Sequence, residues 1–179
     1  ILKKIMEEQT LGLLSSKRAT IYLLDNNKEF LEPVATLDPT HEAQVMSQKL
    51  DVKSSLSGKV IKAKKGMVFN NASQNRDAYQ IPGTSDDEDE HLMVLPLIVQ
   101  KEILGTLNLY RKEKLYLKED MELARIFALY ASTAIQNAQA NLNLVHEINE
   151  RKQGKKTLQE SESILKSILD SNGDGLLVE

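Results

Sequence analysis

The sequence predicts an α+β domain: an antiparallel sheet with helices on one face, followed by a long C-terminal helix. Three observations carry this. Leu92 to Tyr110 (LMVLPLIVQKEILGTLNLY) holds two runs rich in Val, Ile and Leu around a short charged break, Gln100-Lys101-Glu102. That is the pattern of two adjacent antiparallel strands joined tightly. Ala19 to Leu24 and Phe30 to Leu37 flank the turn residues Asp25-Asn26-Asn27-Lys28 and form a second hairpin. Lys118 to Asp170 contains no proline and one glycine, Gly154, so nothing in it stops a helix early.

In the second strand of the Leu92–Tyr110 hairpin, Ile103, Gly105, Leu107 and Leu109 alternate with Leu104, Thr106, Asn108 and Tyr110. The first strand is apolar on both parities, which places it mid-sheet with both faces covered. Pro96 complicates this placement, because proline cannot donate to the ladder. Gly105 marks a bulge or a close backbone approach. The pair reads as the centre of a sheet, with helices on one face and something else, a ligand being one candidate, on the other.

Along the chain, Ile1 to Leu14 carries a helical stripe of Leu2, Ile5, Met6, Leu11, Leu13 and Leu14. Pro33 makes the outer strand of the first hairpin an edge. Glu42 to Met46 reads as a short helix and Gln48 to Val52 as a short strand. Ser54 to Lys65 reads as a helix burying Leu56, Val60, Ile61 and Ala63, ended by Gly66. Met67 to Asn70 is a short strand. Asn71 to Tyr79 is a loop with one helical turn, and Ser85 to Glu90 is an acidic loop. In the long helix, Met121, Ala124, Phe127, Ala128, Ala131, Ala134, Ile135 and Ala138 form a close-packing face. Beyond it Leu144, Ile148, Leu158, Leu165 and Leu169 share a heptad frame that Arg151, Lys155 and Glu162 interrupt, while Leu142 and Val145 prefer another. The pattern predicts an imperfect coiled coil with a phase shift or kink near Gly154.

Composition narrows the function. The net charge of −3 gives no electrostatic reason to expect nucleic acid or anionic lipid as a partner. The chain has no Cys, which removes thiol nucleophiles, thiolate metal sites and thioether-linked chromophores. Its longest wholly apolar run, Leu92 to Val99, falls far short of the ~20 residues of a membrane helix. The chain opens on Ile1 rather than Met and is read as a piece of a longer protein.

The whole order of elements resembles a GAF domain over Leu2 to Gln139. The most specific pieces are Leu95-Pro96-Leu97, Ile103-Leu104-Gly105-Thr106-Leu107, and Glu119-Asp120 opening a helix that ends Ala134-Ile135-Gln136-Asn137-Ala138. The tail from Glu150 (ERKQGKKTLQESESILKSILDSNGDGLLVE) resembles the linker and first strand of a PAS domain. The expected boundaries are a GAF domain over 1–139, a coiled-coil linker helix over 140–170 and the start of a PAS domain over 171–179. GAF followed by PAS resembles the input half of a bacterial or archaeal sensor in a two-component system, most often a histidine kinase. The resemblance implies a cytoplasmic homodimer joined through its N- and C-terminal helices, with PAS and output domains downstream. It implies six antiparallel strands, and a pocket roofed by Phe69 to Tyr79 and the acidic loop. The floor would be alternate residues of Leu92–Val99 and Ile103–Tyr110. Candidate ligand contacts are Phe69, Asn70, Asn71, Arg76, Tyr79, His91 and Met93, with Arg76 placed to grip an anionic group. The alternative role for the polar ones is to cap the loop's own backbone.

Other chemistries fare worse. A methionine-sulfoxide reductase on this fold needs cysteines. Cyclic-nucleotide GAF domains carry an Asn-Lys, then a Phe and an Asp-Glu, where this chain has Tyr110-Arg111, Leu117 and Glu119-Asp120. Some GAF sensors bind haem through one histidine; for His91 a loop histidine beside an acidic run is the favoured reading. No cofactor is therefore expected, only an unidentified small-molecule ligand. His146-Glu147-Ile148-Asn149 resembles a kinase phosphoacceptor box but lacks its continuation, so His146 is read as an exposed linker residue. Asp170-x-Asn172-x-Asp174-Gly175 fits half a calcium loop, and a turn leading into PAS is preferred. Ser57-Gly58-Lys59 lacks phosphate-loop spacing, and the acidic run reads as a solvated loop rather than a cation site. No catalytic set is present. The fragment is expected to be a sensor, or alternatively a ligand-free dimerisation and relay module whose pocket is filled by side chains.

Overall fold

In the computed structural model the Leu92–Tyr110 hairpin forms as the alternation requires. Strand β5 is His91–Val99 and β6 is Glu102–Arg111. Gln100 and Lys101, with φ of 49° and 74°, make the two-residue turn whose twist matches paired strands. The other strands are β1 (Arg18–Leu24), β2 (Phe30–Thr36), β3 (Leu50–Asp51) and β4 (Met67–Phe69). The helices are α1 (Glu42–Met46), α2 (Leu56–Ala63) and α3 (Lys118–Gly173). A 3-10 turn covers Ala72–Gln74. The described residues are 16–83 and 90–173, with side chains to 169. The predicted N-terminal helix, most of the acidic run and the last six positions of the chain lie outside them.

All six strands join one antiparallel sheet in the order β3-β2-β1-β6-β5-β4. The fold class is the one expected. Pro33 does not mark the sheet's edge, because β3 pairs with Phe30 and Leu31 of β2. It lies past the end of that short strand and next to a bulge in the β1–β2 pairing, where a missing donor costs nothing. Pro96 is tolerated similarly: β4 covers only Leu92 to Val94 of β5. Gly105 sits opposite Leu23, and a Cβ there would overlap the Tyr22 carbonyl oxygen. That is the close backbone approach its position predicts.

One face of the sheet carries Ala19, Ile21, Met93, Leu95, Leu97, Leu107 and Leu109 against Tyr116, Met121, Ala124, Phe127, Ala128, Ala131 and Ile135. Burying each large side chain here contributes about 1.5–3 kcal/mol. Ala134 is half-buried and Ala138 exposed, so the close-packing face of α3 is shorter than its small-residue spacing predicts. The second helix does not share that face. Leu56 and Val60 of α2 join Leu92 and Val94 on the opposite side of the sheet. Helix α2 ends at Ala63, and Lys64, at φ 53°, is its left-handed cap in place of Gly66; Ala63 itself is exposed.

The chain divides into two compact units, Ile1–Gln136 and Asn137–Glu179. In the second, helix runs through Gly154 without a break and continues to Gly173, past the expected start of a PAS segment at 171. Every described side chain from Asn137 to Leu169 is exposed. His146 is among them, with Nδ1 3.5 Å from Glu150 Oε1.

Candidate functional site

The face of the sheet away from α3 is built from three cross-strand rows: Arg18–Tyr110–Leu92, Thr20–Asn108–Val94 and Tyr22–Thr106–Pro96. Period-2 alternation sets these side chains on one face and Ile21, Leu107, Leu109 and Met93 on the other. Above the rows lies a cavity of about 220 Å³. Thr20, Tyr22, Asn108, Tyr110 and Leu92 form its floor. Ser55, Leu56 and Ser57 form one wall, and Ala72, Ala78, Tyr79 and Ile81 lie over it. Among the described residues, Arg18, Asp38 and Glu90 are the charged ones lining it.

Helix α2 comes close to this floor for local reasons. The Ser55 side chain caps it by accepting from the Gly58 amide at 3.1 Å. A Cβ on Gly58 would overlap the Val52 carbonyl, so only glycine lets the first turn sit so near β3. That brings Ser57 over β6, where Asn108 Nδ2 donates to Ser57 Oγ at 2.9 Å; both are buried. Asn108 Nδ2 also reaches the Tyr110 hydroxyl at 3.4 Å. Thr20 and Thr36 join their hydroxyls at 3.0 Å, and Thr36 donates on to the Ala19 carbonyl at 3.3 Å.

On this face Thr106 Oγ1 is buried with no hydrogen-bond partner among the described residues, and the buried Tyr22 hydroxyl meets only the Tyr110 phenol. Such a group ordinarily destabilises a fold by about 1–3 kcal/mol, so it needs a reason. Burial, and after it the nearby Tyr110 phenol, push the Tyr22 hydroxyl well above its ordinary pKa. Burial likewise raises Tyr110, against opposing effects of Asn108 and Arg18. Both phenols therefore stay protonated at neutral pH and can donate or accept. At the rim, the Arg18 guanidinium holds Asp38 at 3.3 Å and also pairs with Glu90. It stands 5.5 Å from the centre of the Tyr110 ring. Asp38 accepts the His41 amide at 3.1 Å as well.

Of the residues singled out in the sequence, Tyr79 lines the cavity, and its hydroxyl donates to Gln48 Oε1 at 3.3 Å. Phe69 packs instead into the cluster of Leu56, Val60 and Leu92. Asn70, Asn71 and Arg76 are exposed and do not line the cavity, so Arg76 is not set to grip an anion in it. His91 is buried, and its Nδ1 accepts the Asn71 amide at 3.1 Å, a loop-fixing bond. Met93 lies under α3 on the opposite face. The expected floor of alternate β5 and β6 residues is found at Leu92, Asn108 and Tyr110. The β1 residues Arg18, Thr20 and Tyr22, and the serines of α2, are the part that sequence reasoning missed. Their alternation was visible; their neighbours were not.

Comparison with known proteins agrees with the fold. A family model described as GAF domain matches residues 2–137. The chain is similar in structure to the GAF domain of a phosphoenolpyruvate-protein phosphotransferase from Coxiella burnetii, with TM-score 0.66 at 18% identity, over 78% of this chain and 93% of that one. It is similar to a GAF domain/HD domain protein from Geobacter sulfurreducens, with TM-score 0.65 at 10% identity, over 77% and 91%. The second GAF domain of DevS from Mycobacterium smegmatis gives TM-score 0.62 at 18% identity, over 79% and 94%. No curated protein gives a significant sequence match. The family-model match covers most of the chain, and the chain belongs to the GAF domain family, whose members are regulatory sensory modules.

Proposed function

We propose that this chain is the ligand-sensing domain of a larger cytoplasmic signalling protein. It binds a small molecule over Tyr22 and Asn108 and passes the occupancy of that cavity to an output domain through α3. The observation that carries this is the open cavity whose floor carries the polar side chains of Thr20, Tyr22, Asn108 and Tyr110. The side chains that would fill the pocket of a ligand-free relay do not plug it: Phe69 packs behind the lining residues Leu56 and Leu92, Met93 lies under α3, and Tyr79 lines the cavity while 51% exposed.

The coupling follows from the pleat. Asn108 and Tyr110 face the cavity, while Leu107 and Leu109, their neighbours in β6, face α3. A ligand that moves the first pair must shift the second. It biases signalling only if it binds two packings of α3 with different affinity. A homodimer paired through the helices, with a PAS domain and histidine-kinase output downstream, is the arrangement this coupling suits.

Native mass spectrometry of the gently purified chain, followed by denaturing release, tests the reading. A small molecule at one per chain supports it. A clean protein with no thermal shift across a metabolite panel that includes cyclic nucleotides would instead favour the ligand-free relay.

A further inference from the structure

We infer that the cavity takes a small organic cation, an ammonium or amidinium compound, in preference to any anion. This deepens the sensory reading and rests on it. Among the described residues, three charged ones line the cavity: Arg18, Asp38 and Glu90, one positive and two negative. The guanidinium already holds both carboxylates. An entering anion must displace one of them and leave it without its cation, and Asp38 is only 4% exposed. Stranding a buried charge in this way is strongly unfavourable. An entering cation instead meets the surplus carboxylate of the triad, with no internal pair broken.

The rest of the lining suits the same ligand. Tyr22, Tyr79 and Tyr110 all contribute to it, and tyrosine faces attract cations. Tyr22 lines the cavity beside Tyr110, and its buried hydroxyl meets the Tyr110 phenol, a pair that a polar group on the guest can join. The space of about 220 Å³ is the liquid volume of about seven waters and lies below the ~300 Å³ at which sites for drug-sized ligands begin. A compact amine fits this description. A nucleotide, large and anionic, does not.

The test uses three probes on one skeleton: tyramine (cation), tyrosol (uncharged) and 4-hydroxyphenylacetate (anion). Each is titrated by calorimetry into the whole chain and into its Glu90→Gln and Tyr22→Phe variants. Tyramine is expected to bind about tenfold or more tighter than 4-hydroxyphenylacetate, with tyrosol between them. Glu90→Gln should erase most of that preference while leaving tyrosol unchanged, and Tyr22→Phe should weaken all binding probes. An anion that binds as tightly as tyramine, or tyramine binding indifferent to Glu90→Gln, overturns the inference and leaves the sensory reading intact. If none of the three binds, the molecule released in the native mass experiment decides. A cation supports the inference, anything else overturns it alone, and an empty protein overturns both readings.

Discussion

Arg111, the last residue of β6, donates from Nη2 to Oδ2 of Asp120, in the first turn of α3, at 2.6 Å. Arg111 is 2% exposed on its side chain, and its guanidinium also donates to the Lys114 and Leu115 carbonyls. The Tyr116 ring lies 3.9 Å from it, and burial pushes the Tyr116 hydroxyl up to about 12. Asp120 also accepts the Leu117 amide at 2.8 Å, the returning half of a capping box. One residue pair therefore fixes both where α3 starts and which strand it is tied to.

Replacing Asp120 with Asn should destabilise the domain by about 1.5–3 kcal/mol at neutral pH, the range for hydrogen bonds to charged groups. Burial works to raise the Asp120 carboxyl, but the Leu117 amide and Arg111 outweigh it and hold it below its ordinary 3.8. A depressed folded-state value means that the stabilisation is complete above the unfolded value and lost as pH falls through the folded one. Urea denaturation from pH 7 to pH 3 should show the wild-type advantage shrinking only below about pH 4. A constant gap down to pH 3 would rule this account out.

Gly105→Ala and Gly154→Ala should act in opposite directions. A methyl group at Gly105 meets the Tyr22 carbonyl, which cannot move without tearing the β1–β6 pairing. A loss at or above the ~1–3 kcal/mol of ordinary overpacking is expected. At Gly154 a methyl group meets nothing within 4 Å, and helicity gains up to ~1 kcal/mol. Thermal melts of the two variants check both signs, with far-UV circular dichroism reporting the helix.

Tyr22→Phe should cost the ligand-free protein no more than about 1 kcal/mol, because the hydroxyl it removes meets only the Tyr110 phenol. Asn108→Ala should cost about 1–3 kcal/mol by stranding buried Ser57. If Tyr22→Phe proves the more damaging of the two in denaturant titrations, the hydroxyl is structural and its role in the cavity falls.

The exposed apolar side chains of α3, from Ile148 at 50% to Leu142 at 70%, call for a partner helix. The chain should sediment as a dimer at micromolar concentration, and a Leu158→Glu, Leu165→Glu double variant should sediment as a monomer of unchanged melting temperature. A wild-type chain that stays monomeric at high concentration defeats the proposed dimer.

The β5–β6 hairpin was readable because its pattern is local: two apolar runs, a two-residue turn and a parity that separates Thr106, Asn108 and Tyr110 from Leu107 and Leu109. Helix α1 and the start of α2 at the Ser55 cap were readable for the same reason. The end of α2 was not, because Lys64 takes a left-handed conformation that glycine normally supplies, two residues before the glycine in the sequence.

Sequence alone determined most of the elements and the two faces of the β5–β6 hairpin, since periods of 2.0 and 3.6 and turn chemistry are written in neighbouring residues, and its motifs carried the resemblance to the family. Only the tertiary structure decided the site. Tyr22 meets Thr106, and Arg18 meets Tyr110, because β1 pairs with β6 across more than eighty residues of chain. Ser57 meets Asn108 because Gly58 lets α2 settle on that face. No local pattern specifies such long-range pairings: they form where the sheet's two faces bury the most apolar surface with the fewest polar groups left unpaired.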